Sequence, residues 1–164
     1  MHTIRISGII KESVVDGPGF RLVIFTQGCP RHCPGCHNPD LIPARGGREM
    51  TPDEVLQLIR QNITPLTGGI TFSGGDPLMQ ARALAEILQL LRKEYPLLSI
   101  WVYTGYVFEE IKDWPVLRYI DVLVDGPYEE SKRDISLAFR GSSNQRLIDV
   151  PASLNGEVQC LAVP

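Results

Sequence analysis

The stretch Phe20–Cys36, FRLVIFTQGCPRHCPGC, joins a strongly apolar segment to a loop that contains three cysteines. Phe20–Gln27 predicts a strand that is apolar enough to be buried on both faces, which is typical of a parallel sheet. The cysteine loop follows directly, from Gly28 to about Asn38. We therefore expect a sheet whose functional groups lie immediately after its strands.

Strand and helix patterns alternate on the carboxyl side of this stretch. Thr51-Pro52-Asp53-Glu54 predicts a helix start with a capping box. Further segments are predicted as strands at Ile4–Ile10, Gly69–Phe72, Ser99–Tyr103 and Tyr119–Val124, with additional strands at Arg146–Val150 and Glu157–Val163, and as helices at Leu78–Glu94 and Val107–Lys112. Such alternation implies βα units with right-handed crossovers. Because the chain is too short for eight units, we expect an α/β fold that forms a partial, open βα barrel with parallel strands.

The polar motifs of the chain fall directly after predicted strands. They are Cys29–Cys36, Ser73–Asp76, Thr104-Gly105 and Asp125-Gly126. In parallel α/β folds, ligands bind at the carboxyl ends of the strands. We therefore expect these four segments to meet at one edge of the sheet.

Composition limits the class of protein. The chain has 164 residues with 43% hydrophobic and 21% charged residues, so we expect one folded domain over residues 1–164. Its net charge of −3 and lack of a basic run exclude an obvious nucleic-acid surface. No segment reaches the roughly 18 apolar residues of a membrane span, and Met1–Arg5 lacks a signal-peptide core. We expect a cytoplasmic protein without a membrane partner, in which clustered cysteines serve metal or redox chemistry.

The cysteines have the spacing Cys-x3-Cys-x2-Cys, at Cys29, Cys33 and Cys36. Three thiolates can hold three corners of a cubane [4Fe-4S] cluster and leave one iron without a protein ligand. Two alternatives remain open: a zinc site completed by His32 or His37, and a redox dithiol formed by Cys33 and Cys36. Cys160 is expected to be a buried small apolar residue in a C-terminal strand.

The cysteine loop, placed after this strand, resembles that of the radical S-adenosylmethionine enzymes. The resemblance implies that the methionyl group of S-adenosylmethionine chelates the open iron. One-electron reduction then cleaves the cofactor to a 5′-deoxyadenosyl radical. Ser73-Gly74-Gly75-Asp76 is similar to the family's second motif, in which glycines permit close backbone approach and an acid follows. The implied cofactor contacts are Gly35, Cys36, His37, Gly75, Asp76 and Thr104, and the implied cluster ligands are Cys29, Cys33 and Cys36.

A narrower resemblance covers about residues 16–145. It is carried by six segments in order, Asp16–Gly19, Cys33–Asn38, Ser73–Leu78, Trp101–Tyr106, Val122–Gly126 and Arg140–Gln145. Together they are similar to the activating enzymes of anaerobic (class III) ribonucleotide reductase. This resemblance implies an oxidoreductase that removes a hydrogen atom from a glycine of the reductase and leaves a glycyl radical. It also implies a one-electron donor such as flavodoxin or ferredoxin.

One segment departs from that pattern. His37-Asn38 stands where those activases carry Tyr-Asn, and His-Asn is typical of pyruvate formate-lyase activases. Activation of another glycyl-radical enzyme therefore stays open as an alternative. A non-enzymatic metal-binding or electron-transfer module needs only the cysteines and is the second alternative. The polar segment Arg140–Gln145 is expected to form part of a docking surface or a lid.

Overall fold

Seven strands form a single sheet in the computed structural model, which describes residues 2–162. The strands are β1 (Ile4–Ser13), β2 (Phe20–Thr26), β3 (Arg48–Met50), β4 (Thr67–Gly74), β5 (Ser99–Tyr103), β6 (Val122–Asp125) and β7 (Arg146–Asp149). The helices are α1 (Pro52–Asn62), α2 (Ala81–Glu94), α3 (Phe108–Ile111) and α4 (Val150–Ser153). Short 3₁₀ helices lie at Pro39–Leu41, Pro77–Gln80, Pro115–Tyr119 and Glu130–Lys132.

The centre of the sheet is parallel and its flanks are antiparallel. The strand order is β3-β1-β2-β4-β5-β6-β7, in which β2, β4, β5 and β6 run parallel. β1 and β3 on one side and β7 on the other run antiparallel to their neighbours. Within residues 2–162, β3 and β7 each pair on one side only, so the sheet is open. The predicted parallel βα core is confirmed.

Most element boundaries agree with the sequence predictions. The capping box of Thr51 and Glu54 at the start of α1 is present. α2 begins at Ala81, later than predicted, because Pro77–Gln80 forms a 3₁₀ turn. The short edge strand β3 has no pattern in the sequence and was missed. The strand predicted at Glu157–Val163 was wrong where the structure describes it, since only an isolated bridge joins Cys160 to Ile148; Val163 lies outside the described residues.

One face of the sheet packs against α1 and α2. Alternate strand residues such as Leu22, Ile24 and Phe72 are fully buried there against Ile87 and Leu88 of α2. This spacing follows from the two-residue period of a strand meeting the helical stripe of α2. No helix among residues 2–162 combines the length and hydrophobicity needed to cross a membrane.

The opposite face of the sheet carries a buried arginine. The guanidinium of Arg21 donates to the Thr71 hydroxyl at 2.8 Å and lies 5.4 Å from the centre of the Trp101 ring. Burial lowers the pKa of Arg21 to about 10. Arg21 also donates to the carbonyl of Pro18, and Thr71 donates to the carbonyl of Asp16. These bonds hold the turn between β1 and β2 over the sheet face opposite α1 and α2.

The helix-side core gives a direct test of this packing. Replacing the fully buried Leu88 with alanine should cost about 2–5 kcal/mol of unfolding free energy, because it leaves a cavity under α2. Leu97→Ala is the matched control, since Leu97 is 97% exposed. Urea unfolding measures both variants, and equal losses would contradict the packing described here.

Candidate cluster and cofactor site

The loops that follow β2, β4, β5 and β6 surround one cleft of about 230 Å³. Its wall includes Cys29, Cys33, Cys36, His37, Ser73, Gly74, Gly75, Asp76, Thr104, Gly105, Gly126 and Tyr128. The four polar segments that the sequence placed after strands therefore meet at one edge of the sheet. The reason is topological, since parallel strands present their carboxyl ends on the same side.

The cysteine loop is closed at its base by backbone hydrogen bonds. Gly28 N–H donates to the carbonyl of Leu41 at 2.7 Å, and Cys29 N–H donates to that of Ile42 at 2.9 Å. Within the loop, Cys36 N–H donates to the Cys33 carbonyl at 3.0 Å, and Gly35 has a φ of 75°. Gly35 is thus in the left-handed region that favours glycine. The three thiols are brought to one wall as a consequence.

The donor set suits a cluster with three protein ligands. Cys29, Cys33 and Cys36 are free, half-buried thiols that line the same cleft. Burial raises the pKa of the Cys29 thiol, while the backbone N–H and the charge of Arg31 act against that rise. Between residues 2 and 162, no three His, Cys, Asp or Glu side chains are grouped to hold a metal ion. The fit to a cluster rests instead on chemistry, because three thiols on the wall of one cleft are the ligand type that iron–sulfur clusters take.

Gly74 and Gly75 lie against the protein's own backbone. A Cβ on Gly75 would stand 2.2 Å from the Gly28 carbonyl oxygen, and one on Gly74 would stand 2.4 Å from that of Thr26. Gly75 N–H donates to the Thr26 carbonyl at 3.0 Å. The glycine pair thus permits the strand end of β4 to pack under the cysteine loop. A side chain here would displace that loop as well as any ligand.

Asp76 is a buried junction between three segments of the site. Its carboxylate is 1% exposed and accepts hydrogen bonds from Leu78 N–H at 3.0 Å and from the Thr104 hydroxyl at 2.8 Å. Gly105 N–H donates to it at 2.9 Å. Arg31 in the cysteine loop completes the set with an ion pair of 2.5 Å. The carboxylate therefore joins the cysteine loop to the ends of β4 and β5.

Arg31 is a site residue that the sequence reasoning missed. Its guanidinium lies 4.4 Å from the centre of the Tyr106 ring, in a cation–π contact. Burial opposes the charge of Arg31, but the hydrogen bond and charge of Asp76 outweigh it, so the pKa of Arg31 is raised. The cysteine spacing leaves the residue at position 31 unspecified, and only the fold shows that Arg31 reaches Asp76.

Comparison with known proteins adds an independent finding. Residues 15–148 match the model of the family described as a 4Fe-4S single cluster domain. The anaerobic ribonucleoside-triphosphate reductase-activating protein of Enterobacteria phage T4 is 38% identical over 135 residues, which span 81% of this chain and 86% of that relative. The protein of the same name from Escherichia coli K12 is 39% identical over 138 residues, with coverages of 80% and 90%. The chain belongs to this family of reductase-activating proteins.

A solved structure, QueE from Escherichia coli, is 20% identical and matches 63% of this chain and 53% of its own, with a TM-score of 0.49. That likeness is too distant to bear on function.

In this member of the reductase-activating family, the predicted contacts His37 and Thr104 also line the cleft, whereas Gly35 is not among the lining residues and faces Glu130 and Tyr128. The His37 ring packs against Tyr128, with the ring centres 5.1 Å apart. Tyr128 was not identified from the sequence. Thr104 is 6% exposed, and its hydroxyl is engaged with Asp76 and accepts from Tyr106 N–H. Asp125 does not face the cleft freely, because its carboxylate accepts from Phe108 N–H and pairs with Arg146.

One sequence expectation needs correction. Cys160 is exposed rather than buried, because its strand does not form. The docking or lid role expected for Arg140–Gln145 stays a prediction, and the structure adds contacts of this segment that the sequence did not reveal. Gln145 accepts from Gly141 N–H and donates to the Gly126 carbonyl, and Asn144 donates to that of Pro127. These bonds join Gly126 and Pro127 to residues 141–145.

Proposed function

We propose that this protein activates anaerobic ribonucleoside-triphosphate reductase by removing a hydrogen atom from a glycine and leaving a glycyl radical. The observation that carries the proposal is the meeting of three half-buried cysteines with the Ser73–Asp76 and Thr104 segments in one cleft. Membership of the reductase-activating family supplies the substrate class.

The residues of the cleft have separate tasks in this proposal. Cys29, Cys33 and Cys36 would hold a [4Fe-4S] cluster that also binds S-adenosylmethionine. Together, the cluster and S-adenosylmethionine would supply the one-electron reductive cleavage of S-adenosylmethionine, which protein side chains alone cannot perform. Cys36, His37 and Gly75 form the cofactor wall, and Gly35 supplies the turn that precedes Cys36.

Asp76 and Thr104 also line the cleft and support its wall through hydrogen bonds within the protein. The Thr104 hydroxyl donates a hydrogen bond to the Asp76 carboxylate, which also forms an ion pair with Arg31. Their contribution is to hold the cysteine loop and the strand end of β5 in register. The pair keeps the cofactor wall rigid, which matters because a misplaced reacting group slows reaction steeply.

The proposal also includes the fold of the chain and the electron donor that the cluster needs. One continuous sheet supports a single domain over residues 1–164 that curves as a partial, open βα barrel. Reduction of the cluster requires a one-electron donor, for which flavodoxin or ferredoxin is suited.

The test of this function is a mixing experiment. Anaerobically reconstituted and reduced protein, combined with S-adenosylmethionine and the anaerobic reductase, should produce a glycyl radical by electron paramagnetic resonance. 5′-Deoxyadenosine should form in step with it. Pyruvate formate-lyase in place of the reductase is the comparison, and a radical on that enzyme alone would move the activity to the alternative suggested by His37-Asn38.

A further inference from the structure

A second groove, of about 490 Å³, opens beside the cysteine cleft. We call it the side groove. One wall is the turn between β1 and β2, with Val14 and Val15; the other is the segment between β6 and β7, with Ile135, Leu137 and Phe139. Both walls cover the sheet face opposite α1 and α2.

The side groove and the cysteine cleft are continuous. Asp16, His37, Tyr103 and Gly141 line both. A chain segment lying in the groove therefore leads directly to the wall that holds the three cysteines. A cofactor that binds within the cleft itself has no need of the side groove.

The rims of the groove are apolar and exposed. Val14 is 60% exposed, Val15 is 71% exposed and Ile135 is 89% exposed. Single exposed aliphatic side chains are ordinary on protein surfaces. Here they stand on facing rims of one groove that ends at the reactive site, which is the arrangement of an interaction surface.

The groove also offers hydrogen-bond donors. Arg140 lines it, and among residues 2–162 its guanidinium donates hydrogen bonds to the carbonyls of Ala138 and Gln145 alone, at 3.3 and 3.5 Å. No carboxylate of residues 2–162 lies within 4.0 Å of that guanidinium. Arg140 is therefore able to donate to main-chain carbonyls of an occupant. A groove with exposed aliphatic rims and one arginine, and with Asp16 on its wall, suits a polypeptide, whereas nucleic acid requires a basic stripe.

The second wall is held in place before any partner binds. Tyr103 donates its hydroxyl to the Phe139 carbonyl at 2.8 Å, and the Phe139 ring packs edge-on against Trp101 at 5.3 Å. Phe139 adopts a φ of 59°, an uncommon conformation for a residue with a side chain. A preformed wall lowers the ordering cost of binding.

We propose that the side groove docks an extended segment of the reductase polypeptide and guides its target glycine into the cysteine cleft. Apolar side chains of that segment pack on Val14, Val15 and Ile135, and Arg140 binds its main-chain carbonyls. The inference rests on the proposed function and adds to it the surface by which the protein substrate is recognised.

The test compares charge introduced at the rim with charge introduced elsewhere. Ile135→Glu and Val15→Glu should each weaken binding of the intact reductase by at least about tenfold, because a carboxylate must be desolvated against apolar partner side chains. Leu97→Glu is the matched control. Leu97 is 97% exposed and precedes β5, at the end of the sheet opposite the cleft. Calorimetric titration with the reductase measures affinity without requiring turnover.

Iron content and S-adenosylmethionine affinity should match the unmodified protein in all three variants. Wild-type affinity for the reductase in both rim variants would overturn the docking surface, as would an equal loss in Leu97→Glu. If the unmodified protein installs a glycyl radical while the rim variants bind normally, only the docking surface fails. If the unmodified protein neither binds nor activates the reductase, the proposed function fails with it.

Discussion

Cys33→Ala should abolish cluster assembly and reduce glycyl radical formation to background. Cys33 is one of three thiols on the cleft wall, and Cys29 and Cys36 alone leave a cubane with two protein ligands. The fourth cysteine cannot replace it, because Cys160 is exposed and its backbone is bridged to Ile148 of β7. The loss should therefore be complete rather than partial.

Iron and sulfide content per chain after anaerobic reconstitution measure this loss, together with the radical yield on the reductase. Cys160→Ala is the control that removes a cysteine outside the cleft, and its iron content should equal that of the unmodified protein. A full cubane in Cys33→Ala would show that the cysteine loop is not the cluster site. Zinc bound in place of iron would instead favour the alternative of a zinc site completed by His32 or His37.

The position of the site was predictable from sequence because it depends on strand direction. Four polar segments follow four apolar runs, and parallel β2, β4, β5 and β6 bring their carboxyl ends to one edge. The antiparallel flanks were not predictable in the same way. β3 has only three residues, and its pairing with β1 depends on a long-range contact that leaves no periodic pattern.

The roles within the site were less predictable than its position. Gly75 has a pattern that indicates close backbone approach, but the sequence does not say to what. The structure places the Gly28 carbonyl where its side chain would stand. A valine at this position would therefore move the cysteine loop, and reduced cofactor affinity in that variant would not identify a direct contact.

Asp76 shows the same limit from the electrostatic side. Sequence similarity implies a carboxylate that faces the cofactor. In the structure, its oxygens instead accept hydrogen bonds from Leu78, Thr104 and Gly105 and form an ion pair with Arg31. Only the fold brings these donors together, since they come from three separate loops. The same holds for Arg31, whose partner lies 45 residues away in the chain.

Breaking the Arg31–Asp76 pair should be the most destabilising polar change in the site. The Asp76 side chain is 1% exposed, so Arg31→Met leaves a buried carboxylate with neutral donors alone. Loss of one partner of a buried pair costs about 3–5 kcal/mol. The three remaining donors and the 23% exposure of Arg31 reduce the expected loss of unfolding free energy to about 2–3 kcal/mol.

A double-mutant cycle separates the pair from its surroundings. Asp76→Asn alone should also destabilise the protein, whereas Arg31→Met combined with Asp76→Asn should cost less than the sum of the two. Arg60→Met is the control, because Arg60 forms an equally short ion pair with Glu94 at the surface, where water replaces the lost partner. Urea unfolding of the cluster-free chain gives the free energies of the unmodified protein and of the four variants. Strict additivity, or an equal loss in Arg60→Met, would mean that Asp76 does not join the cysteine loop to β5 in the manner described.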